Sequence, residues 1–95
     1  MDAAGLINKS GLYPFQYRYS IYSATDCNTV TAQGVYKLGW DSNTGCVNFP
    51  SSNYLYGILL VFVANDAIVQ IIKSSSGTWI RHFFDRWFDW ANLES

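Results

Sequence analysis

The stretch Gly57–Phe84, GILLVFVANDAIVQIIKSSSGTWIRHFF, decides the fold of this chain. Three apolar runs with β-branched residues are separated by Asn65-Asp66 and by Ser74-Ser75-Ser76-Gly77, both of which are typical turn sequences. Runs of this length joined by short turns predict an antiparallel meander of three strands, Gly57–Val63, Ala67–Lys73 and Thr78–Phe84.

The sequence before this stretch predicts further strands and long loops. Phe15, Tyr17, Tyr19 and Ile21 alternate with polar residues, which is typical of a half-buried strand over residues 15–23. A second strand is predicted over residues 34–38 and a short one over residues 47–49, with loops at residues 39–45 and 51–53. After Phe84 the chain is interpreted as a helix or an irregular tail, because Trp87, Trp90 and Ala91 have helical spacing.

Composition restricts the class of protein. The 95 residues are 49% hydrophobic, 18% aromatic and only 14% charged, with a net charge of −1. A chain of this size makes one domain, and it cannot hide so much aromatic surface in a monomer. We therefore expect a single small all-β domain with little helix that contacts other subunits or a ligand.

Several partners and cofactors are not expected. The six basic residues are scattered, so the sequence has no basic patch for nucleic acid. The longest apolar run spans eight residues, too few for a membrane helix, which needs about 20. Cys27 and Cys46 without a histidine cluster do not complete a zinc site, and no cofactor is predicted. Nothing indicates an oxidising compartment, so free thiols are favoured over a disulfide, which stays open.

A carbohydrate-binding surface is one hypothesis for the loop aromatics. Sugar rings stack on Trp and Tyr, while Asn and Asp bind their hydroxyl groups. The candidate ligand-binding residues are Trp40, Asp41, Asn43, Tyr54 and Tyr56. The alternative is that these rings belong to the core or to a subunit contact.

Catalysis is not expected. Asp85 and Asp89 are four residues apart and would share the face of a helix. A carboxylate pair can cleave glycosides when its groups lie about 5–10 Å apart, but two solvated charges that flank Arg86 explain these residues more simply. His82 is the only histidine, and no nucleophile motif surrounds any serine.

An ordered set of residues resembles the pyocin knob family, the C-terminal domains of phage and phage-tail-like fibres. The resemblance spans about residues 24–94. It rests on Asp26-x-Asn28, Gly34-x-Tyr36, Asn48-x-Pro50, Gly57-x-Leu59-x-Val61, Gln70, Arg81 and Trp87-x-x-Trp90-x-x-Leu93. Residues 1–23 are interpreted as a lead-in segment with one strand, and residues 24–95 as a knob-like β domain.

The motif residues have structural rather than catalytic interpretations. Asp26 and Asn28 suit a capped turn, and Gly34 and Gly57 suit places where a side chain would clash. Gln70 and Arg81 lie on adjacent predicted strands, where they would hydrogen-bond the backbone or each other. The resemblance implies a homotrimeric fibre tip in the virion that binds a bacterial surface receptor, often a glycan, without catalysis. A monomeric carbohydrate-binding module of a surface-acting enzyme and a purely structural assembly domain are the alternatives.

Overall fold

Two tight hairpins form the centre of the sheet, as the sequence predicts. A computed structural model describes residues 16–93, which contain a six-stranded sheet in the order β1-β2-β3-β4-β5-β6 and one turn of 3-10 helix at Cys27–Thr29. The strands are β1 (Tyr17–Ile21), β2 (Gly34–Trp40), β3 (Leu55–Ala64), β4 (Ala67–Ser74), β5 (Gly77–Phe83) and β6 (Ala91–Asn92). The prediction of an all-β domain with little helix is confirmed.

The hairpin turns use the residues that the sequence marks. Ala64 pairs with Ala67, so Asn65 and Asp66 form a two-residue turn, and Asn65 adopts a positive φ of 58°. Asparagine tolerates this left-handed conformation better than most residues. In the second hairpin, the Ser74 hydroxyl accepts a hydrogen bond from the backbone N–H of Ser76 at 3.1 Å and donates to the Gly77 carbonyl at 3.0 Å.

The first strand departs from the predicted pattern. Strands β2 to β6 are antiparallel, but β1 pairs with β2 in parallel, and its register shifts between Tyr17 and Ser20. Tyr17 lies opposite Val35, whereas Ile21 lies opposite the buried Leu38. The irregularity therefore places Tyr17 and Ile21 on opposite faces, where simple alternation predicted a shared face. Residues 1–15 of the predicted lead-in, which include Phe15, lie outside the described residues.

One face of the sheet carries the hydrophobic core. The core-facing residues of β2 and β3 meet buried side chains from the loops, among them Cys27, Val30, Cys46 and Phe49. The strand predicted over residues 47–49 is reduced to a single bridge between Val47 and Asp26. The C-terminal segment is not helical; Trp87 bridges to Phe83, and β6 pairs with β5.

The opposite face of the sheet, here called the open face, is also mainly apolar. Val35, Leu60, Ile71 and Ile80 lie in one row across β2, β3, β4 and β5, and Ile58 in the next row is 48% exposed. A contiguous apolar surface of this kind is uncommon on a soluble monomer and usually marks an interaction site. Among residues 16–93, no helix is long and apolar enough to cross a membrane.

Candidate binding surface

Trp40 does not belong to the predicted ligand-binding loop. Strand β2 continues two residues past its predicted end, and Trp40 pairs with Leu55. Its side chain points to the core, is 3% exposed and packs edge-to-face on Phe49 with ring centroids 4.9 Å apart. The prediction of Trp40 as a glycan-stacking residue is corrected, because a buried indole presents no face to a sugar.

Asp41 and Asn43 are exposed in the loop that follows β2, as predicted. The Asn43 side-chain oxygen accepts a hydrogen bond from the backbone N–H of Gly45 at 3.1 Å, which forms an Asx turn. Residues 16–93 contain no group of three His, Cys, Asp or Glu residues placed to hold a metal ion. The Asn43 side chain thus has a local structural role, and both side chains are accessible to a ligand.

Tyr54 and Tyr56 form an exposed aromatic pair. Their side chains are 49% and 41% exposed, and their ring centroids lie 5.2 Å apart. Tyr56 lies opposite Gly39 on β2, where an added Cβ would touch the rings of both Tyr56 and Tyr22 at 3.5 and 3.8 Å. These are ordinary contact distances, and they show that Tyr22 also lies beside Gly39 at this surface, which the sequence did not predict.

A groove on the open face lies beside this pair. It runs between Tyr17 of β1 and Tyr56 and Ile58 of β3, with Val35 and Lys37 of β2 beneath, and encloses about 400 Å³. We call it the β1–β3 groove. At its β1 side the Tyr17 and Ser20 hydroxyls hydrogen-bond at 2.7 Å.

The β1 side of the groove depends on the parallel pairing of β1. That pairing sets Ser20 directly opposite Lys37. Ser20 and Lys37 could not be predicted as neighbours, because the pairing of β1 with β2 has no local sequence signal comparable to a hairpin turn.

The residues that carry the family resemblance come together on the core side. The Asp26 carboxylate accepts hydrogen bonds from the Asn48 side chain at 2.7 Å and from the backbone N–H of Asn28 at 2.9 Å. These two bonds hold the pKa of the Asp26 carboxyl below its usual value. Asp26 caps the 3-10 helix, as predicted, and it also fixes the loop that contains Asn48.

Gln70 and Arg81 are the centre of the same network. They are paired across β4 and β5, both are buried, and Arg81 Nε donates to Gln70 Oε1 at 2.7 Å. The Gln70 amide donates to the carbonyls of Cys27 and Val30 at 3.0 and 2.9 Å. The predicted contact between Gln70 and Arg81 is confirmed, and it joins the strands to the loop over the core.

The C-terminal tryptophans complete this network. The Arg81 guanidinium lies 4.0 Å from the ring centroid of Trp87 and 4.8 Å from that of Trp90, and cation–π attraction stabilises its buried charge. Trp90 Nε1 donates to the Asn48 carbonyl at 2.9 Å. We call Asp26, Asn48, Gln70, Arg81, Trp87 and Trp90 the Arg81 network.

The remaining motif residues have packing roles. An added Cβ at Gly57 would lie 2.2 Å from the Lys73 carbonyl oxygen, and one at Gly34 would lie 2.7 Å from Arg18 Cγ, so a side chain would clash at both, as predicted. Tyr36 is buried and donates its hydroxyl hydrogen to the Ala32 carbonyl. Pro50 directly follows the buried Phe49.

The groups considered for chemistry lie in the following surroundings. Cys27 and Cys46 are free and buried, and burial raises the pKa of the Cys27 thiol to about 12, which makes it a poor nucleophile. Asp85 and Asp89 are exposed and lie outside any helix, so they lack the shared helical face. His82 is stacked on Phe88, with ring centroids 4.2 Å apart.

Comparisons of the chain with models of protein families, with curated proteins and with solved structures found no match.

Proposed function

We propose that this chain is the C-terminal domain of a phage tail fibre or tailspike, which acts as a homotrimer in the virion and attaches it to a glycan on the bacterial surface. The convergence of the motif residues carries this proposal. Asp26, Asn48, Gln70, Arg81 and Trp90 are spread over 65 positions of the chain, yet each contacts another member of one network. A chance likeness of sequence would not be expected to place them in mutual contact.

The open face supports the trimer. Its row of Val35, Leu60, Ile71 and Ile80 is continuous across four strands. Closed assemblies around a rotation axis bury such a surface from every subunit. This use of the face also accounts for a chain with 49% hydrophobic and only 14% charged residues.

The exposed tyrosines support attachment to a glycan. Tyr54 and Tyr56 offer ring faces to solvent, and the Asp41–Asn43 loop offers polar groups. Three copies of a weak sugar site on one fibre tip give tight attachment through avidity. We propose no catalytic activity for the domain.

The test is the mass of the chain in solution, measured by light scattering at micromolar concentration. We expect the mass of three 10.8 kDa chains. The double variant Ile71→Thr/Ile80→Thr is expected to have the mass of one chain with an unchanged far-UV spectrum, because threonine keeps the β propensity and removes apolar contact. Val63→Thr is the matched control, since Val63 lies next to the β3–β4 turn and outside this row.

Two alternative results would each indicate a different function. A wild-type chain that is monomeric and binds sugar is a carbohydrate-binding module. A trimer that binds neither bacterial cells nor any glycan on an array is an assembly domain. Either result overturns the proposal as stated.

A further inference from the structure

The β1–β3 groove is an apolar recess at one corner of the open face. It encloses about 400 Å³, and the described residues that line it expose only apolar surface there. Val35 in its floor also belongs to the aliphatic row, so the groove continues that row towards β1. A recess of this kind suits an apolar side chain from another subunit better than a polar ligand, which would lose its hydrogen bonds to water.

An exposed aromatic side chain lies at the opposite corner of the same face. Phe84 directly follows β5 and is 53% exposed. Its ring lies 4.5 Å from that of His82, which in turn stacks on Phe88, so the exposed ring is held in place. His82 pairs with Val69, which lies on the open face two positions before Ile71. Phe84 is therefore an exposed apolar group on the face that carries the groove.

The groove and the Phe84 ring of one chain are too far apart to meet. His82 lies in the same register row as Phe62, which is four residues along β3 from Ile58 in the groove wall. That separation is about 14 Å along the strand, and β5 is about 14 Å from β2 across the sheet. The diagonal is about 20 Å, so the groove can receive Phe84 only from a second copy of the chain.

The charges around the two features are complementary. Lys37 and Lys73 are exposed in one register row at the groove. Asp66 and Asp85 are exposed beside the aromatic ring at the opposite corner. They outnumber the adjacent Arg86, whose guanidinium lies 4.4 Å from the centroid of a phenylalanine ring. Opposite charges around matching apolar features favour and orient contact between two copies.

We propose that Phe84 of each subunit docks in the β1–β3 groove of the next subunit, with the two flanking aspartates beside the neighbour's lysines. This inference rests on the proposed trimer and names the parts of the chain that meet in it. A threefold ring joins two different patches of each subunit, which the groove and Phe84 supply. Tyr56 forms part of this contact, whereas Tyr54 and the Asp41–Asn43 loop do not line the groove and are left for the glycan.

Disulfide cross-linking tests the contact directly. In Ile58→Cys/Phe84→Cys, the new cysteines of one chain are about 20 Å apart, well beyond the separation of about 4.4–6.8 Å between the Cα atoms of a disulfide. We expect oxidation with diamide to give a covalent trimer, seen on a non-reducing gel as a band with the mass of three chains. Ile58→Cys and Phe84→Cys alone are the controls and should give no cross-link, since Cys27 and Cys46 are buried.

The strength of assembly gives a second measurement. Light scattering over a dilution series gives the concentration at which half of the trimer has dissociated. Phe84→Ser should raise this concentration at least about tenfold, because each trimer loses three apolar contacts. Asp66→Lys/Asp85→Lys should raise it about fivefold, because like charges then meet across the contact. Tyr54→Ser is the matched control, since Tyr54 is 49% exposed and lies outside the groove lining, and it should change the value less than about twofold.

The outcomes separate this inference from the proposed function. If the wild type is a trimer but the double-cysteine variant gives no covalent trimer, the docking of Phe84 is overturned and the trimeric fibre domain remains. The same conclusion follows if Phe84→Ser is folded by its far-UV spectrum and weakens assembly no more than Tyr54→Ser. Cross-linked dimers of Phe84→Cys alone would show a symmetric contact and would also overturn the docking. A wild-type chain that is monomeric refutes the inference and the proposed trimer together.

Discussion

Replacement of Gln70 by leucine tests whether the Arg81 network holds the fold together. Gln70 is fully buried, and its amide donates to two backbone carbonyls while its oxygen accepts from Arg81 Nε at 2.7 Å and from the Cys27 thiol at 3.3 Å. Leucine has a similar volume, so Gln70→Leu removes these bonds without leaving a large cavity. The carbonyls of Cys27 and Val30 and the charged Arg81 then lose partners away from water.

The expected cost follows from those lost partners. A buried polar group without a partner costs about 1–3 kcal/mol, and breaking the contact of a buried charge costs about 3–5 kcal/mol. Because the three losses share one site that can relax, we expect Gln70→Leu to lower the free energy of unfolding by about 4 kcal/mol. This is a large part of the 5–15 kcal/mol that a typical domain possesses.

Arg81→Met isolates the contact between the two side chains. It removes the buried charge and its attraction to Trp87 and Trp90, and we expect a cost of about 2 kcal/mol. In the double variant, leucine no longer leaves a buried charge without its acceptor. The double variant should therefore be about 2 kcal/mol more stable than the sum of the single costs predicts.

Urea unfolding gives these values. It is followed by tryptophan fluorescence and far-UV circular dichroism at one fixed chain concentration, because the stability of an oligomer depends on concentration. A cost below about 1 kcal/mol for Gln70→Leu would refute the reasoning. So would single costs that add to within about 0.5 kcal/mol, which would show that Gln70 and Arg81 act independently.

Three further predictions test particular groups. Gly57→Ala should prevent folding or cost at least about 3 kcal/mol in urea unfolding, because its Cβ would overlap the Lys73 carbonyl. Gly39→Ala is the control, since its Cβ meets only ordinary contacts and the variant should fold. Equal stability of the two variants would contradict the β3–β4 register. Burial raises the pKa of the Cys27 thiol to about 12. The stability linked to this shift is fully present below the ordinary thiol pKa of 9.0 and is lost as the pH rises toward about 12. Wild-type stability should thus fall above pH 9 by up to about 1.4 kcal/mol per pH unit more steeply than that of Cys27→Ala, and parallel curves would exclude this thiol as the cause. Asp26→Ala should cost about 1 kcal/mol in urea unfolding at neutral pH, because the helix cap is lost. The lowered pKa of Asp26 stabilises the fold at pH values above the usual pKa of an aspartate, so the variant should lose less stability than wild type below about pH 4. If wild type and variant lose stability equally below about pH 4, the bond between Asp26 and Asn48 does not form.

Local signals explain which part of the fold could be predicted from sequence. The strands β3, β4 and β5 are joined by two-residue turns, so the apolar runs and the turn residues between them suffice to place them. The contact between Gln70 and Arg81 follows from the same register. Strand β1 pairs in parallel after a long connection, and nothing local to it indicates its partner or its irregular register.

Register also explains the errors in the candidate site. Trp40 resembles a loop residue because Gly39 and Asp41 flank it, but the pairing of β2 with β3 extends to Leu55 and turns the indole into the core. The same pairing carries Tyr56 onto the open face above Gly39. Tyr54 and Tyr56 are exposed, and Tyr56 lies in β3 rather than in a loop. Lys37 lies under the groove and opposite Ser20 through a pairing that the sequence does not mark.

The two faces of the sheet are suited to separate tasks. The Arg81 network ties the loops and the C-terminal tryptophans to the core face, where its hydrogen bonds determine stability. The open face carries the aliphatic row and the β1–β3 groove, on the side of the sheet opposite that network. Substitutions on the open face should therefore change assembly or ligand binding while the fold persists, whereas substitutions in the network should unfold the chain before they affect either.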